Sequence, residues 1–224
     1  MLNILIQKFK SMNHLSLHAD IYRCPFCEYL LILKPNTNVN EKVLQVKEEF
    51  SGKFKIPQAK HSYPHVTLVN FLQFKMVENR LLNRLDTIAM GYRPFSVNLK
   101  DYGSFPSHTV FINIESKQQI RNLVKELAAA RQLMTLNKDK KPHFIDNPHL
   151  TVGRSLLPWQ YEQSWNEYQH KHFTAHFFAE SMSLLRRPLA IQSDGKVIPG
   201  KYQHIMQFKF MDLPTATKQG ELFA

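Results

Sequence analysis

Two five-residue phrases in this chain of 224 residues carry groups that can move protons: Pro64-His65-Val66-Thr67-Leu68 and, 84 residues later, Pro148-His149-Leu150-Thr151-Val152. On a β-strand, alternate side chains share a face. His65 and Thr67 therefore point one way and Val66 and Leu68 the other, and the second phrase repeats the arrangement. Each strand offers an imidazole and a hydroxyl about 6.5–7 Å apart and keeps an apolar face for packing. Proline before each histidine suits the first residue of a strand. If the two polar faces converge, two imidazoles and two hydroxyls surround one small space. That set fits a phosphodiester: a neutral histidine takes a proton from the nucleophile and a protonated one gives a proton to the leaving oxygen. Histidine titrates near 6.5, so both forms are accessible. The hydroxyls can donate to phosphoryl oxygens whose charge grows in the transition state. The scheme needs no metal and no cofactor. A bare His-x-Thr is a weak signal, and His172-Phe173-Thr174 is a decoy without the proline or the large aliphatic residue. The full phrase, written twice, is the specific one.

The elements that must position these phrases follow a repeated order. "EYLLILK" (28–34) predicts a buried strand ended by Pro35-Asn36. Val39, Val43, Val46 and Phe50 recur at helical spacing, and Gly52 and Pro57 close that helix. The first phrase is the next strand. Val77, Leu81, Leu85 and Ile88 predict a second helix stopping near Gly91, and "FSVNLKDY" a strand. The order then recurs: strand "TVFINIE", a helix on Ile120, Leu123, Val124, Leu127 and Met134, a lysine-rich loop, the second phrase, a short helix with Tyr161, Trp165 and Tyr168, and a strand around "FFAESMSLLRR". Two βαβαβ-like units, about 28–102 and 108–187, are thus predicted, with the phrase as the second strand of each. An internal duplication accounts for the echo. No linker rich in Gly, Ser or Pro separates the units, so residues 23–224 read as a single two-lobed domain with a closing strand near 201–211. Residues 1–22 read as an appended arm.

Composition sets the class. Hydrophobic residues make up 43%, which excludes global disorder. The balance of 29 Lys+Arg against 18 Asp+Glu leaves +11 and favours an anionic partner, nucleic acid or nucleotides first. Cys24 and Cys27 form a lone C-x-x-C with no second pair, better read as structural thiols than as a zinc or redox site. Two thiols and an amino-terminus without a sustained apolar stretch point to the cytoplasm. "YLLIL" is too short to span a bilayer, so no membrane partner is expected. The phosphate-loop, K-x-D-G and H-E-x-x-H signatures are absent.

At these phrases the sequence resembles the two-histidine (2H) phosphoesterase superfamily, above all its 2′-5′ RNA ligase and RNA 2′,3′-cyclic phosphodiesterase branch. The H-x-[ST]-hydrophobic motif of that family matches His65-Val66-Thr67-Leu68 and His149-Leu150-Thr151-Val152, and the likeness covers about 28–210. "HLTVGR" is similar to the family's second motif, where an arginine follows shortly after, here Arg154. The resemblance implies an α+β fold: a duplicated βαβαβ-like unit with two antiparallel sheets facing across a central cleft and helices outside. It implies His65 as proton donor, His149 as acceptor and Thr67 and Thr151 as phosphate holders, in a metal-independent phosphodiesterase that opens ribose 2′,3′-cyclic phosphates on RNA ends or nucleotides, with reversible 2′-5′ ligation as the same chemistry reversed. A monomer is expected. Other readings stay open: hydrolysis of 2′-5′ oligonucleotides or of a small cyclic nucleotide, or a module that binds RNA ends without turnover.

Three further residues are candidates for contacting substrate. Straight-strand parity groups Arg154 with Leu150 and Val152, away from His149, unless a turn or bulge at Gly153 redirects it. Tyr63 and Phe71 share the face of His65 by parity and could stack a base or pack a wall. Lys138, Lys140 and Lys141 precede the second phrase, where they could meet an RNA backbone or simply be solvated.

Overall fold

The computed structural model describes residues 26–191 and 196–214. The arm 1–22, Cys24 and the Asp194-Gly195 turn lie outside them. Strands β1 (Phe26–Leu33), β2 (Val66–Phe74), β3 (Phe95–Phe105), β4 (Thr109–Ile114), β5 (His143–Phe144), β6 (His149–Arg154), β7 (Thr174–Ala179), β8 (Ser181–Ile191), β9 (Val197–Pro199) and β10 (Gln203–Lys209) alternate with helices α1 (Thr37–Lys53), α2 (Glu78–Met90), α3 (Lys117–Leu127), α4 (Arg131–Met134) and α5 (Pro158–Tyr168).

The fold is α+β, built on a large antiparallel sheet. Its strand order is β10-β8-β1-β2-β6-β4-β3-β7. The halves β10-β8-β1-β2 and β6-β4-β3-β7 each hold four strands, and they meet at a single pair, Val66 with Leu150. The two sheets expected from the sequence are thus joined at the two motif strands. Sequence order and position in the sheet are exchanged: β3, which follows α2, pairs β4, and β8, which follows β7, pairs β1. The short β5 pairs β2 beyond the point where β6 has parted from it.

The helices are exchanged likewise. α1 packs on β6 and β7, and α5 on β4, while α2 packs near β10 and α3 and α4 near β2. Asn36 caps α1 by accepting from the Val39 N–H at 3.0 Å, replacing a bond that the first helical turn lacks. Farther along α1, Phe50 meets Tyr168 of α5 edge-on at 5.1 Å. Gly153 lies directly beneath Phe50: a Cβ there would stand 2.4 Å from the Phe50 ring. Only glycine lets α1 come this close to β6. One contiguous core joins both halves, from Leu31 and Leu68 to Leu150 and Phe177. That is why the units need no linker between them.

Both motif strands break their alternation at the same place in the phrase. Opposite β1, Leu31 pairs with Val69 and Ile32 with Thr67, so Leu68 is an extra residue. Opposite β4, Val110 pairs with Gly153 and Phe111 with Thr151, so Val152 is extra. Each is a β-bulge three residues after the histidine, with two consecutive residues buried: Leu68-Val69 and Val152-Gly153. Beyond each bulge the faces exchange.

Candidate active site

The single bridge between the halves creates the site. Continuing the antiparallel register from Val66 and Leu150 by one residue each way sets His65 opposite Thr151 and Thr67 opposite His149. All four side chains share the face away from the apolar packing, and all four residues are half-buried. Directly opposed side chains lie about 4.5–5.5 Å apart at Cβ and diagonal ones about 7–8 Å. The two histidines are the diagonal pair, close enough for their rings to hold one phosphoryl group between them.

Each ring is turned by the same device. Nδ1 of His65 meets the Tyr63 carbonyl at 2.8 Å, and Nδ1 of His149 meets the Asn147 carbonyl at 2.8 Å. A carbonyl oxygen only accepts, so in both rings Nδ1 carries the hydrogen. That leaves each Nε2 to take up or give a proton. The proline between carbonyl and histidine, with its fixed φ, sets the turn that brings the two together. The proline thus does more than start a strand: it fixes which nitrogen is available.

Both imidazoles titrate below the ordinary histidine value, and in each burial is the main cause. The Tyr63 carbonyl opposes the shift at His65, while the charges of Lys47, Arg154 and His149 reinforce it. At His149 the Asn147 carbonyl opposes it and Lys117 reinforces it. The influence of His149 on His65 is that of a near neighbour.

Arg154 reaches this face. The bulge at Val152, one residue before the expected place, reverses the parity, and the guanidinium is exposed. Among the described residues no carboxylate pairs with it. Phe71 requires a correction. The bulge at Leu68 turns it inward, where it is 2% exposed and stacks on Tyr29 with ring centroids 5.2 Å apart. It belongs to the core and does not line the site. Tyr63 has its side chain in solvent, 78% exposed, and meets the site through its backbone carbonyl. The decoy His172 lies on the surface beside Asp101, 3.2 Å away.

Several flanking residues went unread in the sequence. On the first half, Asn70 donates to Glu28 at 2.8 Å, Arg187 Nε donates to the same carboxylate at 2.6 Å, and the Arg187 guanidinium lies 4.6 Å from the Tyr202 ring centroid. Burial, and then Glu28, push the Tyr202 phenol up. On the second half, Phe105 stands edge-on to His149 at 4.9 Å, with Phe111 tilted against the same ring at 4.9 Å. Gly103 leaves the space that Phe111 and Asn113 occupy. Lys47, 1% exposed, donates to the carbonyl and the hydroxyl of Ser62, each at 2.7 Å, and burial holds its ammonium down to about 8. Its signal was present in the sequence: Lys47 stands four residues after Val43 and three before Phe50, a lysine inside an apolar stripe. In the lysine-rich loop, Lys138 and Lys141 are exposed, and His143, paired with Asn70, is exposed beside the site.

Comparison with known proteins gives this geometry a family. Residues 39–189 match the model of the 2′-5′ RNA ligase superfamily. The chain belongs to that superfamily, a group of two-histidine phosphoesterases and ligases. No curated protein matches it. Among solved structures, Escherichia coli LigT in complex with 3′-AMP is similar, with a TM-score of 0.56, 13% identity, and coverage of 84% of this chain and 98% of that one. Protein TT0787 of Thermus thermophilus is similar at 0.52 and 15% identity, covering 82% and 98%. At these identities the likeness is one of fold. Among the described residues no helix is long and apolar enough to cross a membrane.

Proposed function

We propose that the protein is a phosphodiesterase that opens ribose 2′,3′-cyclic phosphates, on RNA ends or nucleotides, to 2′-phosphates without a metal. The observation that carries this reading is the pairing of the two motif strands at Val66 and Leu150, which brings His65, Thr67, His149 and Thr151 onto one face with both Nδ1 atoms already bonded. Nε2 of His149 takes a proton from water as the oxygen attacks phosphorus. The bond from phosphorus to the 3′ oxygen breaks, and Nε2 of His65 gives that oxygen its proton. Thr67, Thr151 and Arg154 hold the non-bridging oxygens. In the free site, burial and then the neighbouring cations disfavour the protonated form of His65. A bound phosphate anion lies against the same cations and offsets them, so the donor role of His65 belongs to the complex. With a 5′ hydroxyl in place of water, the same steps join RNA ends through a 2′-5′ bond; run backwards, the 3′ hydroxyl attacks phosphorus and the 5′ oxygen leaves with its proton. E. coli LigT, crystallised with 3′-AMP, is consistent with a nucleotide in this cleft. With an RNA substrate the protein works as a monomer in the cytoplasm.

The test is hydrolysis of the four nucleoside 2′,3′-cyclic phosphates in the presence of EDTA, with 2′ and 3′ isomers resolved. The expected outcome is chelator-resistant formation of the 2′ isomer. Turnover only of 2′-5′ oligonucleotides or of another cyclic nucleotide would move the substrate. Tight binding of RNA ends without turnover would remove the enzyme.

A further inference from the structure

We propose that Lys47 is a positioning residue for His65: from the third turn of α1 its ammonium grips Ser62 and thereby holds the Tyr63 carbonyl on Nδ1 of the imidazole. The inference rests on the reading of His65 as an acid–base group. Lys47 is almost wholly buried, and both of its hydrogen bonds go to one residue, Ser62, at 2.7 Å. No carboxylate pairs with it among the described residues. Burying an ammonium without an opposite charge is unfavourable, and an apolar side chain would fill this stripe position between Val43 and Phe50 at less expense. What the lysine adds is a rigid hold on the loop before β2. Ser62 adjoins Tyr63, and the Tyr63 carbonyl lies 2.8 Å from Nδ1 of His65.

The second half reaches the same result by a different route. Lys117, the first residue of α3, donates to the Asn147 side chain at 2.8 Å, and Arg121 Nε donates to the Asp146 carbonyl at 3.1 Å. The Asn147 carbonyl is the one that holds Nδ1 of His149. Lys47 lies deep in its helix and Lys117 at the start of its own, so the parallel is not a by-product of the duplicated sequence. In both halves a lysine clamps the residue that supplies or precedes the orienting carbonyl. The charged groups facing His65 are Lys47, Arg154 and His149, and Arg154 also faces Lys47.

The experiment is ¹⁵N NMR of histidine-labelled full-length protein across pH, for wild type, Lys47→Met and Lys47→Arg. In wild type at neutral pH, His65 is expected in its Nδ1–H tautomer. Lys47→Met should shift His65 toward a mixture of tautomers; the tautomer is the readout, because a loosened carbonyl bond lowers the titration midpoint while loss of a like charge raises it. His149 should be unmoved. Lys47→Arg should keep the Nδ1–H tautomer. On cyclic phosphate, Lys47→Met should lower kcat about tenfold and change KM less than twofold. A folded Lys47→Met protein whose His65 tautomer matches wild type overturns the proposal. So does an Nε2–H tautomer in wild type itself, a result that needs no variant to fold. Wild type that opens no cyclic phosphate sinks the assigned activity while leaving the tautomer result to judge Lys47.

Discussion

Around His65 the neighbours are charges, Lys47 and Arg154. Around His149 they are rings, Phe105 and Phe111, each 4.9 Å away, with Lys117 the charge that acts on it. Yet the two strands share the proline, the Nδ1 bond to the carbonyl two residues back, the threonine and the bulge. On the proposed function, the two strands keep what both proton transfers require while the walls differ. A phosphodiester needs this, because phosphorus is approached alike from both sides while its two substituents differ. The position five residues after each histidine shows the divergence most plainly. There Arg154 faces the site with no carboxylate partner among the described residues, whereas Asn70 is engaged by Glu28.

The comparison breaks first at the histidines. His65→Ala and His149→Ala should each lower kcat by roughly 10²–10⁴, the usual worth of one proton transfer. Assays on cyclic phosphates in which either variant keeps near wild-type turnover would mean that the halves are not partners. Next come the residues five places on. Arg154→Ala should raise KM about 10–100-fold, as expected for a charge-assisted bond of about 1.5–3 kcal/mol, and Asn70→Ala less than about threefold. Equal effects in steady-state kinetics would erase the asymmetry. Phe105→Ala sharpens the aromatic side: loss of a stacking platform worth about 1–3 kcal/mol should weaken nucleotide substrates about 5–150-fold. A substrate without a base should hardly change, and an equal loss for both would make Phe105 a packing residue.

The smallest effect is on pH. The proposed catalysis needs one neutral and one protonated imidazole. Both free rings titrate below the ordinary value, so the singly protonated form is richest below pH 6.5. The profile of kcat/KM should therefore peak on that side and fall as pH rises and the remaining proton leaves. The profile of kcat should peak at higher pH, because a bound phosphate anion favours the imidazolium. In Arg154→Ala the alkaline limb of kcat/KM should move to higher pH, since one like charge near His65 is gone. A profile of kcat/KM centred well above 6.5 would contradict the electrostatics described here.

Much of this was legible in the residues. The helix on Leu81 and Leu85 ends at Met90, beside Gly91, and the helix of Tyr161, Trp165 and Tyr168 begins at Pro158, as local spacing and breakers dictate. Phe71 was misplaced because strand parity was carried past a bulge. The clue lay in the run Leu68-Val69, two apolar neighbours after an alternating stretch, but adjacency alone does not separate a bulge from a strand buried on both faces. Lys47 was passed over because Val46 fitted the same helical stripe; which of the two turned inward depended on what α1 would pack against. Phe105 lies past a break in β3, where Leu99 pairs with Ile114 and Tyr102 with Ile112, and no local pattern reports that shift.

By itself the sequence determined the repeated phrase, the period of each element and the chemistry the side chains can perform, because these follow from bonding along the chain. Only the tertiary structure decided that β2 and β6 touch at one pair, that β3 and β8 exchange halves, and that Lys47 and Phe105 border the histidines. Those contacts join residues far apart in sequence. They form where burial of both units in one core outweighs the chain entropy lost on ordering, and local spacing carries no record of that balance.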